Sequence, residues 1–219
     1  MSKTRHILFD CDGVLVDTEY TAAVKMCEAL NAAGITIDLD HYLRVHSGTT
    51  FSGILEHYFG DTMVQEDKNE LMKVVEAQVA EAVKPVPGIP EILTKLDISK
   101  SVVSNSSIAT VRHALAVSEI SHHFSNRIFS SEQVPKAKPS PDLYFFTLKS
   151  LGLIPEETLV VEDSRTGVQA AVGAGLKVIG FTGASHILPG HAEKIMALGA
   201  EQTTSDADGL LSLLKTYLD

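Results

Sequence analysis

The chain has little positive charge, almost no cysteine and no long apolar run. Lysine and arginine total 18 against 28 aspartates and glutamates, a net charge of −10 over 219 residues. A protein whose main partner is nucleic acid presents a basic footprint, so that class is excluded. Any phosphate must then be held by a few local cations or by a metal. Cys11 and Cys27 are the only cysteines, too few for a disulfide framework, and both read as small core hydrophobes. No run is long enough to span a bilayer, and residues 1–6, which include basic ones, are followed by only three apolar residues before Asp10, which does not read as a signal peptide. A cytoplasmic protein with no membrane partner is therefore expected. Neither Gly-x-Gly-x-x-Gly nor Gly-x-x-x-x-Gly-Lys occurs, so dinucleotide and P-loop readings fail. No internal repeat or low-complexity tract is visible.

What is present is a 44% apolar content, enough for a substantial core, and one unusual segment. In Ile7-Leu8-Phe9-Asp10-Cys11-Asp12-Gly13 a short apolar run ends in two aspartates one residue apart. A buried strand there would deliver carboxylates to its own C-terminal edge, where open α/β sheets place ligands. On an extended strand both side chains would share a face, because side chains alternate with period two. Two such neighbours cannot both be charged cheaply unless a cation lies between them or a proton is shared. The pair implies a hard metal, or a nucleophile beside a general acid; the alternative is a plain surface turn.

From Asp17 to about Lys84 the pattern is helical. Ala22, Ala23, Met26, Ala29, Leu30 and Ala33 recur at helix spacing and stop at Gly34. A second helix starts at Asp38 or Asp40 and ends near Gly48. A third runs from Thr49 or Thr50 to about Gly60, and a fourth from about Thr62 to Val83. Pro85, Pro87, Gly88 and Pro90 then break the chain. Beyond them strands (Ser101–Ser104, Arg127–Ser130, Thr158–Glu162, Lys177–Phe181, Ala200–Thr203) alternate with helices (Ile108–Val117, Asp142–Leu151, Thr166–Ala174), as in a parallel sheet covered on both faces. The expected fold is α/β: a Rossmann-like parallel-sheet core from residues 1–15 and 86–219, interrupted by a helical insertion at 16–85. The insertion leaves the chain just after the aspartate pair, where it can serve as a lid.

Two further strand ends and one loop carry polar groups. Val102-Val103-Ser104-Asn105-Ser106-Ser107 leads into a helix. Ser106 or Ser107 would cap it, while Ser104, still on the strand, is placed to donate to an anion. Lys138 lies before Pro139, which restricts it to an extended conformation, and could neutralise carboxylates and a phosphate at a strand-end crevice. Val160-Val161-Glu162-Asp163-Ser164 repeats the opening logic. Adjacent acids there either complement a helix dipole or, with the first pair, supply the oxygen ligands that octahedral Mg²⁺ takes. Within the insertion Arg44, His46, Thr49 and Thr50 surround Gly48, as a loop touching substrate or as an ordinary helix–helix turn. His186 and His191 read as surface residues rather than zinc ligands.

In order and spacing these four elements resemble the haloacid dehalogenase-like hydrolase superfamily, in its subgroup with a helical cap between the first and second motifs. The resemblance implies Asp10 as nucleophile and Asp12 as general acid/base. It implies Ser104, Asn105 and Lys138 at the phosphoryl group, with Lys138 also orienting Asp10, and Arg44 and His46 as substrate-binding cap residues. Mg²⁺ would be held by Asp10, the main-chain carbonyl of Asp12 and Asp163, with Glu162 holding a water on the ion. Such a protein would hydrolyse a small phosphorylated metabolite, a sugar or sugar-acid phosphate, through an aspartyl-phosphate, as a monomer or weak homodimer. Asp12 favours phosphoryl transfer over dehalogenation. Mutases of the β-phosphoglucomutase type usually carry a histidine just after the first motif and basic residues around the cap glycine. Glu19-Tyr20-Thr21-Ala22 and His46-Ser47-Gly48-Thr49-Thr50 supply neither pattern, so the mutase is the alternative, with a metabolite-binding protein that keeps the fold without turnover as a further one.

Overall fold

The computed structural model describes residues 3–46 and 49–218. They divide into two compact units, one built from the chain up to Asp17 and from Lys84 onward, the other from Thr18–Val83.

The first unit is a parallel sheet of six strands among the described residues: β1 (His6–Phe9), β2 (Ser99–Ser104), β3 (Ile128–Ser130), β4 (Thr158–Glu162), β5 (Lys177–Phe181) and β6 (Gln202–Thr204), in the order β3-β2-β1-β4-β5-β6. Phe9 pairs with Val102 on one side and Val161 on the other, so β1 is central. Ile7, Leu8 and Phe9 are all fully buried, although alternate residues face opposite sides of the sheet. Burial on both faces is why this strand reads as a continuous apolar run rather than an alternation. Below one face, Leu8, Val103, Val160 and Val178 share a core with Leu143, Tyr144, Val168 and Ile195.

The chain builds the sheet outward from β1 in one direction and then outward in the other. The reversal falls between β1 and β4, and in such sheets the crevice at the carboxyl ends of the strands around the reversal receives ligands. Asp10, Ser104 and Glu162-Asp163 all stand at that edge.

In sequence order the helices of the two units are α1 (Thr18–Ala32), α2 (Leu39–His46), α3 (Phe51–Phe59), α4 (Gln65–Ala82), α5 (Ile89–Lys95), α6 (Ile108–Val117), α7 (Asp142–Leu151), α8 (Arg165–Gly173), α9 (His191–Ala197) and α10 (Ala207–Leu218). Their starts follow local chemistry. Ser107 caps α6 by accepting from the Thr110 N–H, and Ser164 caps α8 by accepting from the Gly167 N–H. Pro90, expected to break the chain, instead sits in the first turn of α5, where a missing N–H costs nothing. The Thr18–Val83 unit has its own core of Met26, Leu30, Tyr42, Ile54, Leu55 and Val75. The segments that lead into and out of it pair within the first unit: the Asp17 N–H donates to the Lys84 carbonyl at 2.9 Å and the Val86 N–H to the Leu15 carbonyl at 3.1 Å.

Candidate active site

Strand β1 stops at Phe9, so the two aspartates do not share a strand face as the spacing predicts. Asp10 still donates its N–H to the Val161 carbonyl, 3.0 Å away, whereas Asp12 lies in the turn that follows. The two side chains meet different partners as a result. Asp10 Oδ1 accepts from Lys138 Nζ at 2.7 Å. Asp12 Oδ2 accepts from the Ser106 hydroxyl at 2.8 Å and from the Ser104 hydroxyl at 3.4 Å.

Lys138 is the hub. Its ammonium donates to Asp10, to the Val103 carbonyl at 2.7 Å and to Glu162 Oε1 at 2.7 Å. An ammonium has three protons, so all are committed, and direct contact with a phosphoryl group requires exchanging one of these bonds. Burial opposes the charge of Lys138, but the Asp10 and Glu162 carboxylates outweigh it and hold the ammonium well above its ordinary value. Asn105 fixes the lysine's backbone from both sides: its amide donates to the Lys138 carbonyl at 3.0 Å and accepts from the Lys138 N–H at 2.9 Å. The resemblance implies Asn105 at the substrate; its side-chain amide here holds the backbone of the lysine.

Glu162 is fully buried. One oxygen faces Lys138 and the other accepts from the Ser164 N–H and hydroxyl, each at 3.0 Å. Gly167 makes room for it, since a Cβ there would lie 1.6 Å from Oε1. Asp163 is also buried, and burial pushes its carboxyl up to about 6 against the pull of a hydrogen bond from His186. Burial pushes Asp10 well above the ordinary carboxylate range; the Lys138 ammonium opposes, while Glu162, Asp163 and Asp12 push further up. Cys11, buried beside them, has its thiol driven well up by burial and by the charges of Asp12 and Asp10, so it stays protonated and inert.

Asp10, Glu162 and Asp163 each offer an oxygen within 4.8 Å of the others. One ammonium against three buried carboxylates, if all are ionised, leaves a deficit of two positive charges, which a divalent cation would make up. Asp163 Oδ1 is buried with no hydrogen-bond partner, as an oxygen reserved for an ion would be. The all-oxygen donor set fits a hard cation such as Mg²⁺.

Sequence reasoning missed three neighbours of these acids. Ser106 or Ser107 reads as the helix cap, and Ser107 takes it; that Ser106 bonds Asp12 is not anticipated. His186 and His191 are not simple surface residues: both are partly buried, His186 Nε2 lies 3.5 Å from Asp163 Oδ2, and His191 Nε2 lies 2.6 Å from the Asp163 carbonyl. Their position past the carboxyl end of β5 is the signal that could have placed them at the crevice.

Arg44 and His46 belong to the helical unit. Arg44 is exposed, whereas His46 is buried among Tyr42, His57 and Tyr58, with Nε2 2.8 Å from the Tyr58 hydroxyl. Gly48, at the centre of the proposed cap loop, lies outside the described residues.

Residues 7–181 match the family model of the haloacid dehalogenase-like hydrolases. The chain belongs to that family. Among curated haloacid dehalogenase-like relatives, the 6-phosphogluconate phosphatase of Escherichia coli (strain K12) is 28% identical over 193 residues, 86% of this chain and 87% of that protein. A haloacid dehalogenase-like protein from Agrobacterium tumefaciens str. C58 superposes with a TM-score of 0.82 at 30% identity, covering 99% of this chain and 100% of its own. A family hydrolase from Deinococcus radiodurans R1, solved with bound phosphate and sodium, superposes with a TM-score of 0.83 at 26% identity, covering 99% and 97%.

Proposed function

We propose that this chain is a divalent-cation-dependent phosphatase, a phosphoric monoester hydrolase acting on a sugar or sugar-acid phosphate through an aspartyl-phosphate. Asp10 carries this reading: it is a buried carboxylate at the carboxyl end of the central strand, oriented by an ammonium at 2.7 Å. The phosphatase relative with a sugar-acid substrate and the phosphate bound by the Deinococcus hydrolase support it.

In this mechanism a carboxylate oxygen of Asp10 attacks phosphorus, and Asp12 gives its proton to the departing alkoxide oxygen. An acyl phosphate on Asp10 and a free alcohol result. Asp12, now a carboxylate, takes a proton from a water that attacks the same phosphorus. Inorganic phosphate leaves and both carboxyl groups return to their starting states. Ser104 and Ser106 hold Asp12 between these transfers, and Lys138 keeps Asp10 aimed. Asp10, Asp163 and the Asp12 carbonyl would hold the cation, which supplies positive charge against the phosphoryl oxygens and keeps Asp10 ionised.

A panel of phosphorylated metabolites assayed with Mg²⁺ tests the reading. Steady phosphate release is expected, falling to background in excess chelator and returning with Mg²⁺. Ca²⁺ is expected to restore little, because it takes more ligands at longer distances. Full activity in chelator contradicts the cation requirement, and isomerisation that depends on a bisphosphate, without net phosphate release, contradicts the hydrolase.

The core residues meet only the phosphoryl group and its leaving oxygen, which every monoester presents, so discrimination must come from elsewhere. The inserted helical unit is proposed as its source. Arg44→Ala, an exposed change that leaves the His46 aromatic cluster intact, is expected to reorder kcat/KM across the substrate panel while Mg²⁺ dependence and activity on an aryl phosphate stay near wild type. Uniform ratios across the panel would show that Arg44 does not read the substrate.

A further inference from the structure

One loop holds Asp163 at two points. The connection from β5 to α9 carries His186, and α9 begins with His191. The His191 ring nitrogen sits 2.6 Å from the Asp163 main-chain oxygen; a carbonyl only accepts, so Nε2 is the protonated nitrogen. His186 Nε2 faces Asp163 Oδ2 at 3.5 Å. Gly13 leaves room for the same oxygen, since a Cβ there would lie 2.0 Å from Oδ2 and 3.1 Å from His186 Cε1. His186 and His191 therefore engage Oδ2 and the main-chain oxygen. The remaining oxygen, Oδ1, is buried and has no hydrogen-bond partner.

We propose that His186 and His191 are positioning residues that clamp Asp163 by its side chain and its backbone, so that Oδ1 alone is presented to the divalent cation. The clamp rests on the reading of Asp163 as a cation ligand. A carboxylate free to rotate spreads its oxygens over several orientations, and each lost restraint must be re-imposed when the ion binds. Outer partners that fix a ligating group accordingly act on affinity.

The test is Mn²⁺ binding to the apo-protein, followed by loss of the free-ion electron paramagnetic resonance signal, with an apo urea melt of each variant. His186→Ala is expected to weaken Mn²⁺ binding about tenfold, the lower end of effects at such outer partners, and His186→Gln, which keeps an N–H at a similar reach, to recover most of it. His191→Leu, which frees the Asp163 carbonyl, is expected to weaken binding too, and serves as a second arm should His186→Ala fail to fold. Asp163→Asn separates the two ideas. Lost binding in Asp163→Asn with wild-type affinity in the His186 and His191 variants overturns the clamp and leaves the cation site standing. Wild-type affinity in Asp163→Asn overturns the site, and the clamp with it. Equal weakening in His186→Ala and His186→Gln also overturns the clamp, because a restored donor should restore the hold.

Discussion

Asp10→Asn is expected to fold normally and lose turnover by at least about a thousandfold, as removal of a covalent nucleophile does. The amide is nearly isosteric, and its oxygen can still accept from Lys138 at the present 2.7 Å. It cannot attack phosphorus usefully. The variant has a second signature. Asp10 is pushed well above its ordinary value by burial and by three neighbouring carboxylates, so in metal-free protein its charge is a destabilising element. A neutral amide removes that repulsion, and the apo variant is expected to be at least as resistant to urea as wild type at neutral pH. Phosphate release and a urea melt on the same preparation check both halves. Near-normal turnover in folded Asp10→Asn contradicts the mechanism.

Lys138→Met is expected to be the more damaging change to the fold. The ammonium satisfies Asp10, Glu162 and the Val103 carbonyl at once, and its side chain is 2% exposed. Methionine fills much of the same volume but leaves two carboxylates in an apolar site with no countercharge. Breaking a buried ion pair from one side costs about 3–5 kcal/mol. The loss should depend on pH with a definite sign. Lys138 is the one group here that pulls the Asp10 carboxyl downward, so its removal drives that carboxyl further up. An acid whose folded value lies above its unfolded one binds more protons in the folded state, and stability then falls as pH rises. The deficit relative to wild type is therefore expected to shrink as pH is lowered and Asp10 becomes protonated. Urea midpoints of metal-free wild type and variant across the acid to neutral range read this directly. A deficit that stays constant with pH would mean that lost packing, rather than stranded charge, is the cause.

The parallel sheet was legible because its strands are buried on both faces and end in chemistry. Thr158–Glu162 and Lys177–Phe181 are continuous apolar runs bounded by polar residues, and they form strands over those spans. Helices Ile108–Val117 and Asp142–Leu151 likewise announce themselves, the first by its serine cap and the second by Pro141 just before it. The Asp10, Lys138 and Glu162 cluster could be anticipated because each residue terminates or follows a strand of one sheet, and topology does the rest. Two things resisted. Strand β1 ends at Phe9, before either aspartate, and Asp12 meets Ser106 rather than sharing a strand face with Asp10. His191 reaches Asp163 from 28 residues away through a loop whose Pro189-Gly190 looks like ordinary punctuation. Periodicity reports which face of an element is buried; it does not report where a connection folds back.

The most direct measurement of the central claim is a rapid acid quench of the wild-type enzyme with a phosphate-labelled substrate and Mg²⁺, followed by borohydride reduction and peptide mass mapping. Reduction converts an aspartyl-phosphate to homoserine, marking the residue that carried the phosphoryl group. The account predicts the mark at Asp10, in substrate-treated wild type and not in Asp10→Asn. A turning-over enzyme with the mark on another residue, or with none under conditions that trap an acyl phosphate in a control phosphatase, would contradict it.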